Sequence, residues 1–151
     1  MKTWEIINQQ FRKSDLLKSA ILMLAGIISP FFIIPIVKIV GYSEVIEEIL
    51  KALVVVFVLN NFKPLPKRIK NVTLFILSFG LSESLLYLNY ACQLGNIDIF
   101  WQRIVLTIPM HIITALIILF SALKNKKTII LGIIVSLMIH LSFNSFISLT
   151  L

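Results

Sequence analysis

Residues 44–51 read EVIEEILK, a charged stretch at the start of an otherwise apolar run, residues 45–62. Three ionisable side chains lie inside this run: Glu47, Glu48 and Lys51. An ionisable group within a membrane-spanning helix costs at least about 2.5–3.5 kcal/mol on insertion scales, and such groups usually mark function. We therefore expect this run to be a membrane-spanning helix whose carboxylates contribute to a functional site. Other parts of the chain should supply the partners of these carboxylates.

The composition of the 151-residue chain is that of an integral membrane protein, with 58% hydrophobic and only 14% charged residues. The hydrophobic residues form long blocks without a helical or strand-like alternation. The net charge of +7 comes from short basic patches between these blocks, not from a basic stripe interleaved with aromatic residues. We therefore expect no nucleic acid among the partners. Cys92 is the only cysteine, so an intrachain disulfide and a cysteine-based metal cluster are both excluded.

Five apolar blocks, each close to the ~20 residues needed to cross a bilayer, predict an all-α polytopic membrane helix bundle. The chain forms a single integral-membrane domain, residues 1–151. Residues 1–18 favour an amphipathic helix on the cytoplasmic membrane surface. Pro30 and Pro35 are expected to kink the first block or to end it early. The five blocks are residues 19–37, 45–62, 72–91, 104–123 and 128–149.

The distribution of lysines and arginines predicts the orientation of the spans. Eleven of them lie in the N-terminal segment and in the second-to-third and fourth-to-fifth connections. Two lie in the other connections, and Lys51 lies inside a span. By the positive-inside rule, the N-terminus is cytoplasmic and the C-terminus is outside, in a multi-pass protein of the cell membrane.

Polar residues from four spans fall at one depth in this orientation. With a rise of ~1.5 Å per residue and a ~30 Å hydrocarbon core, Glu48, Glu83, His111 and His140 lie about 8–13 Å below the outer surface. Asn144 lies one turn beyond His140. Lipid cannot satisfy such groups, so their side chains should face a common interior. Their co-location favours a functional site over a scatter of packing residues.

The residues at this depth suit the activation of water for peptide-bond hydrolysis. A desolvated glutamate is a better base near neutral pH, and an imidazole or an amide can donate hydrogen bonds to a developing oxyanion. This interpretation needs no metal cofactor. The main mechanistic alternative is a zinc-type site with ligands from separate helices, although no HExxH pair is present. Its candidate ligands are Glu47 or Glu48, Glu83, His111 and His140.

Four motifs on successive spans resemble the PrsW family of intramembrane glutamic-type proteases, which are related to the CAAX-processing and bacteriocin-processing (CPBP) membrane proteases. The resemblance covers about residues 44–148. This chain departs from the family pattern in two ways. Family members are often longer, and the glutamate of the second motif is often followed by Asn where this chain has Ser84. The motif residues are Glu47, Glu48 and Lys51; Phe79, Glu83 and Tyr87; Arg103, Pro109, Met110 and His111; and His140 and Asn144.

The resemblance implies a role for each of these side chains. It makes Glu47 the general base, but sequence cannot decide between Glu47 and Glu48, because neighbours on a helix point ~100° apart. The other implied roles are water binding for Glu48 and Glu83, oxyanion stabilisation for His140 and Asn144, substrate or water positioning for His111, and substrate binding for Tyr87 and Arg103.

The expected function is an intramembrane endopeptidase that cleaves a membrane-bound protein or peptide near the extracytoplasmic side. The resemblance implies the first cleavage of an anti-sigma factor as the type of reaction. Two alternatives remain open at this point: a non-catalytic binding or immunity protein with the same fold, and a small transporter that moves protons or cations through Glu83 and the histidines. The expected partners are the substrate and the lipid bilayer, and the sequence makes no prediction of oligomeric state.

Overall fold

The computed structural model describes the backbone of residues 2–150 and the side chains of residues 13–147, except those at 90, 99, 103 and 126. Every element in the described part of the chain is helical, which confirms the predicted all-α class. The helices are α1 (Lys2–Val40), α2 (Ser43–Asn61), α3 (Leu65–Leu94), α4 (Asp98–Gln102), α5 (Ile108–Lys124) and α6 (Ile129–Thr150). A π-helical turn, Arg103–Thr107, joins α4 to α5, and a 3-10 turn, Lys126–Thr128, precedes α6.

Five of these helices are long, and each contains most of one predicted apolar block. Four segments of the described chain are long and apolar enough to cross a membrane: Lys13–Val40, Leu65–Leu94, Phe100–Lys124 and Ile129–Ile147. Helix α2 has 19 residues but carries Glu44, Glu47, Glu48 and Lys51. The last three are buried, so this polarity faces protein instead of lipid. The polytopic membrane bundle is confirmed, while the membrane crossing of α2 and the orientation of the chain remain predictions.

Helix α1 runs without interruption to Val40, so the two prolines do not end it early. A proline removes one helical hydrogen bond, and neighbouring helices can hold the backbone in place. Pro30 is buried, and Ser82 Oγ of α3 donates a hydrogen bond of 2.7 Å to the Ile27 carbonyl in the turn before it. The predicted amphipathic segment and first span therefore form one helix. The side chains that suggested amphipathicity (Trp4, Ile7 and Phe11) lie outside the described part.

Gly26 allows α1 to pack closely on α3. A Cβ atom at this position would lie 2.5 Å from the Phe75 carbonyl oxygen and 2.9 Å from Ser78 Cβ. Both contacts are too short for a side chain, and one of them is with backbone that cannot move aside. Among the described residues, α1 packs mainly on α3 and also contacts α2.

The core of the bundle has an apolar half and a polar half. Residues that follow Lys51 on α2 and Thr114 on α5 fill the apolar half, including Val55, Val58 and Ile118. The polar half is built from the preceding turns of α2 and α5, together with the middle parts of α3 and α6. The buried ionisable groups are therefore concentrated at one level of the bundle.

Candidate active site

Helix α2 presents two adjacent glutamates to different partners. Glu48 is fully buried, and its Oε1 lies 2.6 Å from Lys51 Nζ and 2.8 Å from His140 Nδ1. Because Lys51 is a buried cation at contact distance, Glu48 is the anion of the pair and has no hydrogen to donate. The hydrogen between Glu48 and His140 therefore belongs to Nδ1 of the imidazole. This tautomer leaves His140 Nε2 with a free lone pair.

Lys51 also connects α2 to α5 and, through α5, to α6. Its Nζ donates a hydrogen bond of 2.8 Å to Thr114 Oγ1, which itself donates to the His111 carbonyl at 3.1 Å. Ser136 Oγ of α6 donates to the Thr114 carbonyl at 2.9 Å. The sequence did not identify Thr114 as the partner of Lys51.

Glu47 points in a different direction from Glu48, because neighbours on a helix differ by ~100°. Its Oε2 lies 3.9 Å from His111 Nε2 and 3.8 Å from His140 Nε2. This oxygen is buried and has no hydrogen-bond partner among the described residues. Glu47 lines the cavity that opens beside these side chains, and Glu48 does not. Both glutamates are buried, and Glu47 is the one of the pair that lines the cavity.

Glu83 reaches the same point from α3. Its Oε2 lies 3.0 Å from His111 Nε2. The His111 ring is fully buried and packs edge-on against Phe79, with ring centroids 5.5 Å apart. The rings of His111 and His140 are nearly perpendicular, with centroids 5.1 Å apart. The Nε2 atoms of both histidines therefore lie within 4 Å of Glu47 Oε2, and that of His111 is closer to Glu83 than to Glu47.

These donor atoms fit a metal ion. One ligand atom each from Glu47, His111 and His140 lies within 4.8 Å of the other two. Ligands of a tetrahedral zinc ion, at ~2.0–2.2 Å from the metal, lie about 3.3 Å apart. The two separations from Glu47 Oε2, 3.8 and 3.9 Å, need only a small contraction, and the two histidine ligand atoms lie within 4.8 Å of each other. Two histidines and a glutamate form a ligand set of catalytic zinc sites, which keep a fourth position for water. Glu48, behind His140, is the kind of outer carboxylate that orients a ligating imidazole.

Asn144 lies at the edge of the site and is bonded to a carboxylate that the sequence did not assign. Its Nδ2 donates a hydrogen bond of 3.0 Å to Glu44 Oε1, and Ser43 Oγ donates to Glu44 Oε2 at 3.1 Å. Burial alone would raise the pKa of the Glu44 carboxyl, but hydrogen bonds from Asn144, from the Glu44 backbone and from Ser43 contribute to an opposite effect that lowers this pKa below its usual value. Ionised Glu44 can only accept, so it fixes the amide orientation of Asn144. Glu44 and Glu47 are three residues apart, which places both on one face of α2. This spacing was the feature of the sequence that could have identified Glu44 as part of the site.

A cavity of about 490 Å³ opens beside the ionisable cluster. Tyr87, predicted to bind substrate, lines its wall. Arg103, predicted to bind substrate as well, lies in the π-helical turn, and its side chain is outside the described part. The cavity is lined by Pro30, Ile33, Ile34, Val37 and Lys38 of α1; Ser43 and Glu47 of α2; Phe79, Glu83, Leu86 and Tyr87 of α3; Thr107; and His140 and Asn144 of α6.

Together, the fold and the site define a class: a polytopic helical membrane protein with carboxylates and imidazoles gathered beside an internal cavity. The chain belongs to the PrsW family of intramembrane metalloproteases, which it matches over residues 17–151. No curated protein and no solved structure matches it.

Family membership confirms the resemblance found in the motifs and supports membrane protease activity. The family description also bears on the cofactor. The sequence favoured a metal-free glutamate mechanism with zinc as its alternative, whereas the family is described as one of metalloproteases. That description agrees with the cluster of Glu47, His111 and His140.

Proposed function

We propose that the protein is a metal-dependent intramembrane endopeptidase that hydrolyses a peptide bond of a membrane-bound protein or peptide near the outer side of the membrane. The observation that carries this proposal is the buried Glu47 Oε2, which has no hydrogen-bond partner among the described residues and lies 3.9 and 3.8 Å from the Nε2 atoms of His111 and His140. The outer location follows from the loop charges. An anti-sigma factor is the substrate type that the family resemblance implies.

Each residue of the cluster receives a role from its contacts. Glu47, His111 and His140 would hold the metal, which when bound would act as a Lewis acid toward the scissile carbonyl and lower the pKa of bound water. Glu48 holds the tautomer of His140 through Nδ1, and Lys51 keeps Glu48 in place. This assignment moves the role of general base away from Glu47, because its carboxylate is used as a ligand.

We assign the proton transfers to Glu83, which is partly exposed to the cavity and close to His111. Its carboxylate accepts a proton from the attacking water as the oxygen–carbon bond forms, and the same proton goes to the nitrogen of the leaving amine as the carbon–nitrogen bond breaks. A general base positioned in this way contributes typically about 10²–10⁴-fold to the rate. Asn144 is close enough to the cavity to donate its second Nδ2 hydrogen to the developing oxyanion.

The first test is the metal content and metal dependence of the purified protein. We expect about one zinc per chain in the wild type, and much less in His140→Leu and Glu47→Gln, as measured by mass spectrometry of the metal. A chelator should stop cleavage of tagged single-span membrane proteins, and added zinc should restore it. Cleavage that persists in metal-free protein would contradict the metal and favour the glutamate mechanism. Substrate-dependent flux without any cleavage would instead favour a transporter.

A second prediction concerns the orientation of the Asn144 amide. Glu44→Gln replaces an acceptor-only carboxylate by an amide that can either donate or accept, so Asn144 is no longer held in one orientation. We expect kcat to fall about tenfold with little change in KM, which corresponds to the ~1.5 kcal/mol of a hydrogen bond to a charged group. Because both residues act through one bond, adding Glu44→Gln to Asn144→Ala should cause no further loss. Additive effects would contradict this coupling.

A further inference from the structure

The cavity has the form of a groove between one stripe of α1 and one stripe of α3. The α1 residues in its wall recur at spacings of three and four, which places them on a single face of the helix, and the same holds for α3. The α1 stripe is Pro30, Ile33, Ile34, Val37 and Lys38, and the α3 stripe is Phe79, Glu83, Leu86 and Tyr87. Each stripe covers nine residues, or about 12 Å along its own helix.

Three contacts fix the register of the two helices. Asp15 pairs with Lys67, Gly26 abuts Ser78, and the Ile27 carbonyl accepts a hydrogen bond from Ser82. These pairs are 52, 52 and 55 residues apart, so α1 and α3 run in parallel with a nearly constant offset. Lys38 is therefore level with residues 90–93 of α3.

This register places Lys38 at the far end of the groove from the reacting groups. Lys38 lies seven to ten residues beyond the level of Glu83, or about 10–15 Å along the helix axes. Between these two levels the walls are largely apolar. Of the described residues that line the groove, Lys38 alone carries a fixed positive charge, whereas Glu47 and Glu83 lie at the reacting end.

We propose that Lys38 is a specificity-determining residue that selects substrates with an acidic side chain three to five residues from the scissile bond, on the side toward the outer surface. An extended peptide rises about 3.3 Å per residue, so three to five residues span the 10–15 Å between the two levels. Apolar substrate side chains fill the walls between them. The inference rests on the proposed function, because the scissile bond must lie at the cluster of Glu47 and His140.

The test uses a synthetic single-span fusion protein in which one residue, three to five positions outside the scissile bond, is Asp, Asn or Lys. Wild type should cleave the Asp probe about two- to fivefold better than the Asn probe, the range expected of a partly exposed ion pair. Lys38→Gln should remove this preference, and Lys38→Glu should transfer it to the Lys probe. The matched control is Lys63→Gln, which changes an exposed lysine outside the groove and should keep the wild-type preference.

Binding is measured separately from cleavage, so that failure of the inference can be distinguished from failure of the proposed function. The Glu47→Gln protein is crosslinked to the same probes, and it should retain more of the Asp probe than of the Asn probe. This preference should disappear when Lys38→Gln is added. If nothing is cleaved but this preference is seen, the specificity stands and the protease activity fails. If probes are cleaved or retained without regard to the charge, or are not retained at all, the proposal is overturned. Lys38→Gln that slows all probes equally would overturn it as well and would assign Lys38 to anchoring α1 in the membrane.

Discussion

Glu47→Gln should abolish cleavage while leaving the fold intact. The substitution keeps the size of the side chain but removes the buried carboxylate whose Oε2 lies within 4 Å of both histidine Nε2 atoms. Whether Glu47 holds a metal or activates water directly, its loss removes the centre of the reaction. We expect the rate to fall by at least about 10³-fold, within the range that a positioned acid–base group or an electrostatic group supplies. Single-turnover cleavage of a tagged single-span substrate in detergent or liposomes measures this loss.

Two further variants test whether the loss of cleavage is specific to Glu47. Asp98→Asn changes an exposed carboxylate outside the cavity and should retain full activity. Glu48→Gln affects a residue that acts through His140, so metal affinity should fall about 10–100-fold, and excess metal should restore part of the activity. Glu47→Gln should not be rescued in this way. Normal processing by Glu47→Gln, with the protein correctly inserted, would refute the assignment of the site. A partner that wild type and Glu47→Gln retain equally, without any cleavage, would favour a binding or immunity protein.

Much of the fold followed from the sequence because the bilayer imposes strong constraints on it. The length of each apolar block and the need to satisfy every backbone group inside the membrane leave a helix bundle as the solution. The site was predictable for the same reason: charges inside apolar helices must meet one another. Glu48, Glu83, His111 and His140 were placed at one depth from the sequence, and the structure brings all four together.

The rotation of each helix about its axis was not predictable. Adjacent residues differ by ~100° in direction, so the sequence could not assign Glu47 to the cavity and Glu48 to Lys51. The bond between Asn144 and Glu44 escaped prediction for the same reason, since their positions are 100 residues apart and depend on how α2 and α6 pack. The continuity of α1 through Pro30 depends on its contact with α3, which local propensity does not contain.

Lys51→Met should strongly destabilise the protein. Lys51 is 2% exposed, and its Nζ donates hydrogen bonds to Oε1 of the fully buried Glu48 carboxylate and to Thr114 Oγ1. Methionine fills a similar volume but leaves the carboxylate without its cation. Removing one partner of a buried ion pair typically costs about 3–5 kcal/mol, because the remaining charge stays uncompensated. We expect a loss of this size in the free energy of unfolding, measured by denaturant titration in a mild detergent.

The matched variant is the double substitution Glu48→Gln/Lys51→Met, which removes both charges. Replacing a buried ion pair by neutral groups of similar size is often nearly neutral, so the double variant should recover most of the stability that Lys51→Met loses. It should not recover activity, because the introduced glutamine can present its amide nitrogen to His140 and no longer fixes the hydrogen on Nδ1. Stability and activity should therefore separate in this variant. If the double variant is as unstable as Lys51→Met, the loss comes from packing around Lys51 and its bond to Thr114, and the ion pair is not the main source of stability.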